Sequence, residues 1–527
     1  SSQLGSSRST RFQFDSSDAS PTIADSEHCT ARMVGTTRDL IAAKMPEHCV
    51  VAIFNVTMIG HVNPTFALVQ ELVKRGCKVH YFLPASSAIR RAAKEAGAEV
   101  EGYAADDPEG FCLEHYGTEG AEKLGEEERV MWERNVWPLA STLATGDYLI
   151  SRCRALGVQV VLYDPMAPHG LVVGKVLGVP YVSLVTYPGL GSLADLLKDE
   201  SRLQRAKAVR APFGVEIRNH FGVDVEDQLL SRCQYFAPEN FVTTSDSLVA
   251  PLPAVGQKSW SDELREHFRF MAVGCMVSDA APHVISARSP KASIERSTSF
   301  GHALPIKELK GAALRGAKIV YVALGTMALS DRWAADLGMV SGGNLPPGTT
   351  GKQFCQHIWR ALIVAMRELR ESFYCVLCVG RQPDALDFLV TAEGEPIEEL
   401  PTNVAVRTFL PQVDMLQSHA HVFVSHAGFN SMQESLMAGV PMIAVPQAVD
   451  QPENARKVEA RGWGKAFLRP METVSGASMA AALRTATNDE APYLGRVSKA
   501  REQLEGGHKR AADRLLELAA ASARREN

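Results

Sequence analysis

The stretch "HVFVSHAGFNSMQESLMAGVPMIAVP" (residues 421–446) holds a complete structural unit. "HVFVS" is a short apolar run of the kind that forms a buried strand. A histidine and two small residues follow, then an amphipathic segment, then the second apolar run "VPMIAV". Strand, helix and strand in this order make a βαβ unit, and βαβ units build parallel sheets covered by helices. On the helix, Phe429, Met432, Leu436 and Met437 fall on one side and Asn430, Ser431 and Glu434 on the other.

The helix is expected to begin near Gly428. Free backbone N–H groups and the positive end of the helix dipole favour an anion there, and a glycine lets a ligand approach closely. Asn430 and Ser431 add side-chain donors. Glu434, one turn on, is a poor phosphate ligand but can accept two hydrogen bonds from a vicinal diol. Anion donors followed by a diol acceptor fit a nucleoside diphosphate, with Glu434 on the ribose. A capped amphipathic helix with a solvated polar face explains the same residues, and this stretch alone leaves both readings open.

The same alternation runs outward in both directions. "VVAIFN", a helix over 63–75, "KVHYFL", "SAIRRAAKEAG", "VQVVLYD", a helix over 168–177 and "PYVSLV" form one series. "KIVYVALG", "SFYCVLCVG", "NVAVRTF", "HVFVS" and "VPMIAV" form a second. A chain of 527 residues exceeds what one core usually holds. The reading is α/β: two doubly wound domains in tandem, facing a cleft. Ligands in such sheets sit beyond the carboxyl ends of the strands.

The expected organisation is a disordered leader over 1–44, rich in Ser, Thr and charge, then a first domain over 45–275. A linker over 276–316 leads to a second domain over 317–485, with an insertion at "SGGNLPPGTTG". Helices over 486–527 are expected to pack back on the first domain.

Bulk properties exclude several classes. A net charge of −5 gives no footing for nucleic acid. No apolar run approaches a membrane span and no secretory signal is visible, so stable membrane insertion is not expected and the cytoplasm is. The ten cysteines lack metal-ligand or framework spacing. Cys375 and Cys378 form a CxxC, but three apart on a strand they face opposite ways. Free thiols are the expectation. "DVED" (224–227) reads as a solvated helix start rather than a metal motif. Oligomeric state is not legible.

Upstream of the opening stretch lies "RTFLPQVDML" and downstream "VPQAVDQPENA". From Thr408 to Asn454 the chain resembles the donor-binding signature of the UDP-dependent glycosyltransferases of the GT-B fold. It looks most like the macrolide and natural-product branch and is also similar to the plant secondary-product enzymes. An aromatic-x-P-Q element, an H-x-G-x-N-S-x-x-E element and a D-Q pair occur in order at the usual spacing. The general likeness extends from about residue 48 to the C-terminal helices.

The resemblance implies the GT-B fold, two Rossmann-like domains facing a cleft, with a UDP-sugar as co-substrate and no other cofactor. It places Phe409 on the uracil, where the family usually has tryptophan. Gln412 and the backbone near Leu410 would hold the uracil edge and ribose. His426 would contact the diphosphate. Gly428, Phe429, Asn430 and Ser431 would form the phosphate end of the helix, and Glu434 would take the ribose hydroxyls. Asp450 and Gln451 would bind the sugar hydroxyls, although Asp450 also fits as a helix N-cap. Thr326, in "ALGT", would sit near the β-phosphate.

In the first domain, Asn63 reads as an N-cap and Pro64 as a first-turn proline, leaving His61 on the loop after the first strand. Position alone favours a structural histidine. Its place in G-H-x-N-P resembles the family's catalytic base, and Asp164 after "VQVVLY" would orient it. The implied enzyme is an inverting hexosyltransferase, adding glucose from UDP-glucose to a hydroxyl of a small lipophilic acceptor such as a polyketide or phenolic. His61 and Asp164 are its catalytic pair, and no metal is needed. Phe111, Tyr116, Trp132, Trp137 and Tyr187 are candidate linings of the acceptor pocket. A sterol or lipid glucosyltransferase, a non-catalytic sugar-nucleotide-binding helper and an epimerase are the alternatives.

Overall fold

The computed structural model describes residues 49–526, apart from 84–86, 105–135, 189–199, 226–233, 249–267, 278–302, 339–342, 390–398 and 489. The expected leader, most of the expected linker, the end of "DVED" and the aromatics Phe111, Tyr116 and Trp132 lie outside the described residues.

The first domain carries β1 (Val50–Phe54), β2 (Lys78–Phe82), β3 (Glu99–Glu101), β4 (Val160–Tyr163), β5 (Tyr181–Val185), β6 (Glu239–Val242) and β7 (Arg269–Ala272). Its helices are α1 (Ile59–Lys74), α2 (Ser87–Glu95), α3 (Trp137–Leu156), α4 (Pro168–Leu177) and α5 (Glu200–Phe221). The second domain carries β8 (Lys318–Ala323), β9 (Phe373–Cys378), β10 (Val404–Arg407), β11 (Val422–Ser425), β12 (Met442–Ala444) and β13 (Gly464–Ala466). Its helices are α6 (Ile306–Leu314), α7 (Gly351–Glu368), α8 (Gln412–Ser418), α9 (Phe429–Ala438), α10 (Gln451–Ala460), α11 (Pro470–Thr473), α12 (Gly476–Ala486) and α13 (Tyr493–Leu504). The C-terminal helix is α14 (Gly507–Glu526).

The strands form two sheets, in the orders β3-β2-β1-β4-β5-β6-β7 and β10-β9-β8-β11-β12-β13. The pairings are parallel throughout. Strands buried on both faces explain the near-continuous apolar runs in the sequence. Cys375 and Cys378 on β9 are both buried and pack into cores on opposite faces of the second sheet. Each sheet reverses its strand order once, between β1 and β4 and between β8 and β11. Those two switch points are where a doubly wound sheet opens a crevice.

Three details differ from the sequence reading. The span expected as linker contains α6, whose Leu309 and Ala312 are buried in the second domain's core. Nine residues carry too little periodicity for the pattern to stand out. Next, α1 begins at Ile59, with Met58 as N-cap, so Asn63 is no cap and Pro64 lies inside the helix. Finally, the C-terminal helices divide. Val497, Ala500 and Leu504 of α13 join the second domain's core, whereas Ala511, Ala512, Leu515, Leu516 and Ala519 of α14 join the first domain's, with Val62 and Phe66 of α1. Arg514 then pairs with both oxygens of Glu239 on β6, at 2.6 and 2.8 Å.

Among the described residues, no helix is long and apolar enough to cross a membrane.

Candidate active site

The first switch point holds His61 and Asp164. Phe54 and Tyr163 are register partners at the ends of β1 and β4, and the Asp164 N–H donates to the Phe54 carbonyl at 2.9 Å. This fixes Asp164 one residue beyond the sheet, where it is 2% exposed. His61 sits in the first turn of α1, and its Nδ1 lies 2.7 Å from Asp164 Oδ2. The other Asp164 oxygen accepts the Met166 N–H at 2.8 Å. With Nδ1 engaged by the carboxylate, Nε2 is the nitrogen left to take a proton. Burial pushes the His61 pKa down. The Asp164 charge and hydrogen bond, with the Asp450 charge, outweigh it, so the net shift is upward from 6.5.

Asn55, which the sequence reading passed over as the end of a strand, holds this turn in place. It is 2% exposed. Its amide donates to the His61 carbonyl at 3.1 Å and to the Tyr81 hydroxyl at 3.0 Å, and Tyr81 in turn meets Thr65 Oγ1 at 2.7 Å. An asparagine directly after an apolar strand is the one signal that could have flagged it.

The second switch point holds His426, after β11, and Gly325 and Thr326, after β8. Ala323 and Ser425 are register partners at the strand ends. The imidazole of His426 lies between two glycines: a Cβ on either Gly325 or Gly428 would overlap the ring. Gly428 was expected to open the backbone to a ligand. Its smallness already serves the packing of His426. Burial drives the His426 pKa down to about 4 against a weaker opposing bond to the Ala323 carbonyl, so the ring is neutral near pH 7. The ring brings no positive charge, and it can donate its one N–H to an oxyanion only by giving up the bond to the Ala323 carbonyl. Thr326 is exposed at the same strand end.

Helix α9 has Gly428 as N-cap with no side-chain cap, so its first N–H groups carry no side-chain acceptor. Its polar side is not a solvated face. Gln433, Glu434 and Ser435 are all buried, with Glu434 5% exposed. The Gln412 amide, at the start of α8, donates to Ser431 Oγ at 3.1 Å and also to Glu434 Oε2. Gln412, Ser431 and Glu434 thus form one cluster, with buried Leu410 and partly buried Phe409 beside it on the approach to α8.

Asn430 reaches the other domain. Its Nδ2 donates to the Gly60 carbonyl at 2.8 Å, next to His61. Pro64 explains why that carbonyl is open, because position 64 lacks the N–H that would close the i→i−4 bond to Gly60.

Asp450 is the N-cap residue of α10 by position, but its side chain makes no capping bond. It accepts the Asn454 amide at 2.8 Å instead. Burial raises its pKa, partly offset by that hydrogen bond. Gln451, 4% exposed, accepts the N–H groups of Gln447 and Ala448 at 2.9 and 3.3 Å.

Trp137 lies at the start of α3 and Tyr187 donates its hydroxyl to Gln234. Asp224 pairs with Arg218 at 2.7 Å. Among the described residues, one trio could bring three ligand atoms within 4.8 Å: His80, Glu99 and Glu101. Arg152 already holds both oxygens of Glu101, at 3.0 and 3.1 Å, so the trio reads as an ion-pair cluster.

Comparison with known proteins agrees with this fold. The family model described as "UDP-glucoronosyl and UDP-glucosyl transferase" matches residues 380–498. The NDP-glycosyltransferase YjiC of Bacillus licheniformis is 24% identical over 478 residues, which is 89% of this chain and 97% of that protein. The glycotransferase of kitacinnamycin superposes with a TM-score of 0.60 at 23% identity, covering 90% of this chain and 100% of that one. UGT71G1 of Medicago truncatula, solved with UDP-glucose, gives 0.57 at 16% identity, covering 90% and 98%.

Proposed function

The chain belongs to the UDP-glycosyltransferases of the GT-B fold, and from that premise we propose an inverting enzyme that moves glucose from UDP-glucose to a hydroxyl of a small lipophilic acceptor, such as a polyketide or phenolic. The observation that carries the reading is the His61–Asp164 pair, 2.7 Å apart at one switch point, with its helix turn bonded to the N-terminus of α9 at the other.

A neutral hydroxyl is a weak nucleophile. His61 Nε2 takes its proton as the acceptor oxygen bonds to the anomeric carbon. Asp164 fixes the tautomer and stabilises the imidazolium that forms. The bond from the anomeric carbon to the β-phosphate oxygen breaks, and its electron pair leaves with UDP. Thr326, the neutral His426 ring and the free N–H groups of α9 receive the developing charge. Phe409 and Leu410 hold the uracil, Gln412 and Glu434 the ribose, and Asp450 and Gln451 the sugar. One displacement inverts the centre, so an α-linked donor yields a β-glycoside. Fixed protein donors stand where a metal would otherwise neutralise the diphosphate, and the scheme needs no metal. The seven described cysteines are free and buried, which fits action in a reducing cytoplasm.

The test is incubation with UDP-glucose and a panel of phenolic and polyketide acceptors, with EDTA in one arm. Equal β-glycoside formation in both arms is expected. Turnover strictly dependent on a divalent ion, or an α-linked product, contradicts the scheme.

A further inference from the structure

Two non-glycine residues have positive φ among the described residues, Ala427 at 60° and Val449 at 61°. Both are strained, since an L side chain in the left-handed region persists only where the surroundings enforce it. Both also adjoin residues of the site. Ala427 follows His426 and precedes the N-cap of α9. Val449 precedes Asp450.

A single side chain reaches both turns. Asn454, on α10, is 0% exposed. Its Nδ2 donates to the Ala427 carbonyl at 3.0 Å and to Asp450 Oδ2 at 2.8 Å. Each partner is an acceptor, so the amide can take only one orientation. Its Oδ1 is left buried with no hydrogen-bond partner among the described residues. An orphaned buried acceptor is destabilising, and an apolar residue of similar size would not incur that penalty. An i,i+4 helix pair accounts for the bond to Asp450. It does not account for the second bond, to a residue 27 positions earlier. The feature that distinguishes asparagine here is two N–H donors on one short, rigid arm.

We propose that Asn454 is a positioning residue that sets the spacing between the diphosphate end of the donor site, at His426 and Ala427, and the sugar end, at Asp450. The proposal rests on the reading of Asp450 as a sugar contact. UDP touches only the diphosphate end and does not sense that spacing. A UDP-sugar spans both ends and does.

The experiment measures the affinities of UDP and of UDP-glucose by calorimetry for the full chain, for Asn454→Ala, Asn454→Ser and Asp450→Asn, and for the double variant. The expected result for Asn454→Ala is UDP-glucose binding weakened about tenfold or more, with UDP binding changed less than about threefold. Asn454→Ser, with one donor, falls between. The double variant is no worse than Asp450→Asn alone, because two residues acting as a unit are not additive. A parallel loss of both ligands, no change in either, or failure of both Asn454 variants to fold overturns the proposal and leaves the site reading standing. An unchanged UDP-glucose to UDP ratio in Asp450→Asn, or no UDP-glucose binding by the unaltered protein, overturns the site reading and the proposal with it.

Discussion

The Asn430 side-chain amide donates to the Gly60 carbonyl at 2.8 Å, joining the first turn of α9 in one domain to the turn that carries His61 in the other. The contact exists because Pro64 leaves that carbonyl without its helical partner. Asn430→Asp places a carboxylate against the Gly60 oxygen and, on the proposed reading, beside the diphosphate. Its kcat/KM is expected to fall about 10²–10³-fold, and that of Asn430→Ala, which only deletes the bonds, about 10–10²-fold. Steady-state kinetics with varied UDP-glucose checks the ranking. An Asp variant more active than the Ala variant refutes the assigned polarity.

The pH profile follows from His61. Burial lowers its pKa, but the Asp164 charge and hydrogen bond and the Asp450 charge raise it further, leaving it above 6.5. The base must be neutral to act, so kcat/KM is expected to rise with pH through a midpoint above 6.5. In Asp164→Asn that midpoint moves down while the plateau falls about 10²–10⁴-fold. Stability has the opposite slope. A histidine whose folded pKa is raised contributes fully below its unfolded value, and the contribution is lost as pH rises through the folded value. The thermal advantage of the unaltered protein over Asp164→Asn is therefore expected to be larger at pH 5.5 than at pH 8.5. Differential scanning fluorimetry at the two values reads it directly.

Gly428 admits no side chain. A Cβ there would overlap His426, and the ring is also bounded by Gly325. Gly428→Ala is expected to cost about 1–3 kcal/mol of stability through overpacking. It is also expected to weaken UDP binding at least about tenfold by displacing the imidazole. Calorimetry with UDP checks the second effect, and an unchanged affinity removes His426 from the diphosphate.

The C-terminal helix belongs to the first domain's core. Leu515 is 0% exposed there, whereas Leu314 at the end of α6 is 90% exposed. Leu515→Ala is expected to cost about 2–4 kcal/mol and Leu314→Ala less than about 0.5 kcal/mol. Urea unfolding of the two variants side by side distinguishes them.

Much of this was legible in the chain. Apolar runs alternating with helical segments give two parallel sheets, because only strands covered on both faces read that way. The candidate donor residues between Thr408 and Asn454 do follow the strands β10, β11 and β12. The errors have physical causes. Pro64 looks like a helix start, yet α1 runs on to Ile59, since a proline in its second turn sacrifices one bond and the surrounding packing supplies the rest. Glu434 falls on the polar side by periodicity, but Gln412 and Ser431 cover it, and no local pattern reports a cover contributed by another helix. Asn55 and Asn454 are ordinary turn and helix residues in sequence. Their roles come from partners at Tyr81 and Ala427, 26 and 27 positions away.

The central claim is that His61 is the base of the transfer. Its most direct test is single-turnover glucosyl transfer from UDP-glucose by His61→Ala, with UDP-glucose affinity measured on the same preparation. Transfer slowed by about 10²–10⁴-fold with donor affinity within about threefold of the unaltered protein is the expected result. Undiminished transfer by His61→Ala contradicts the account.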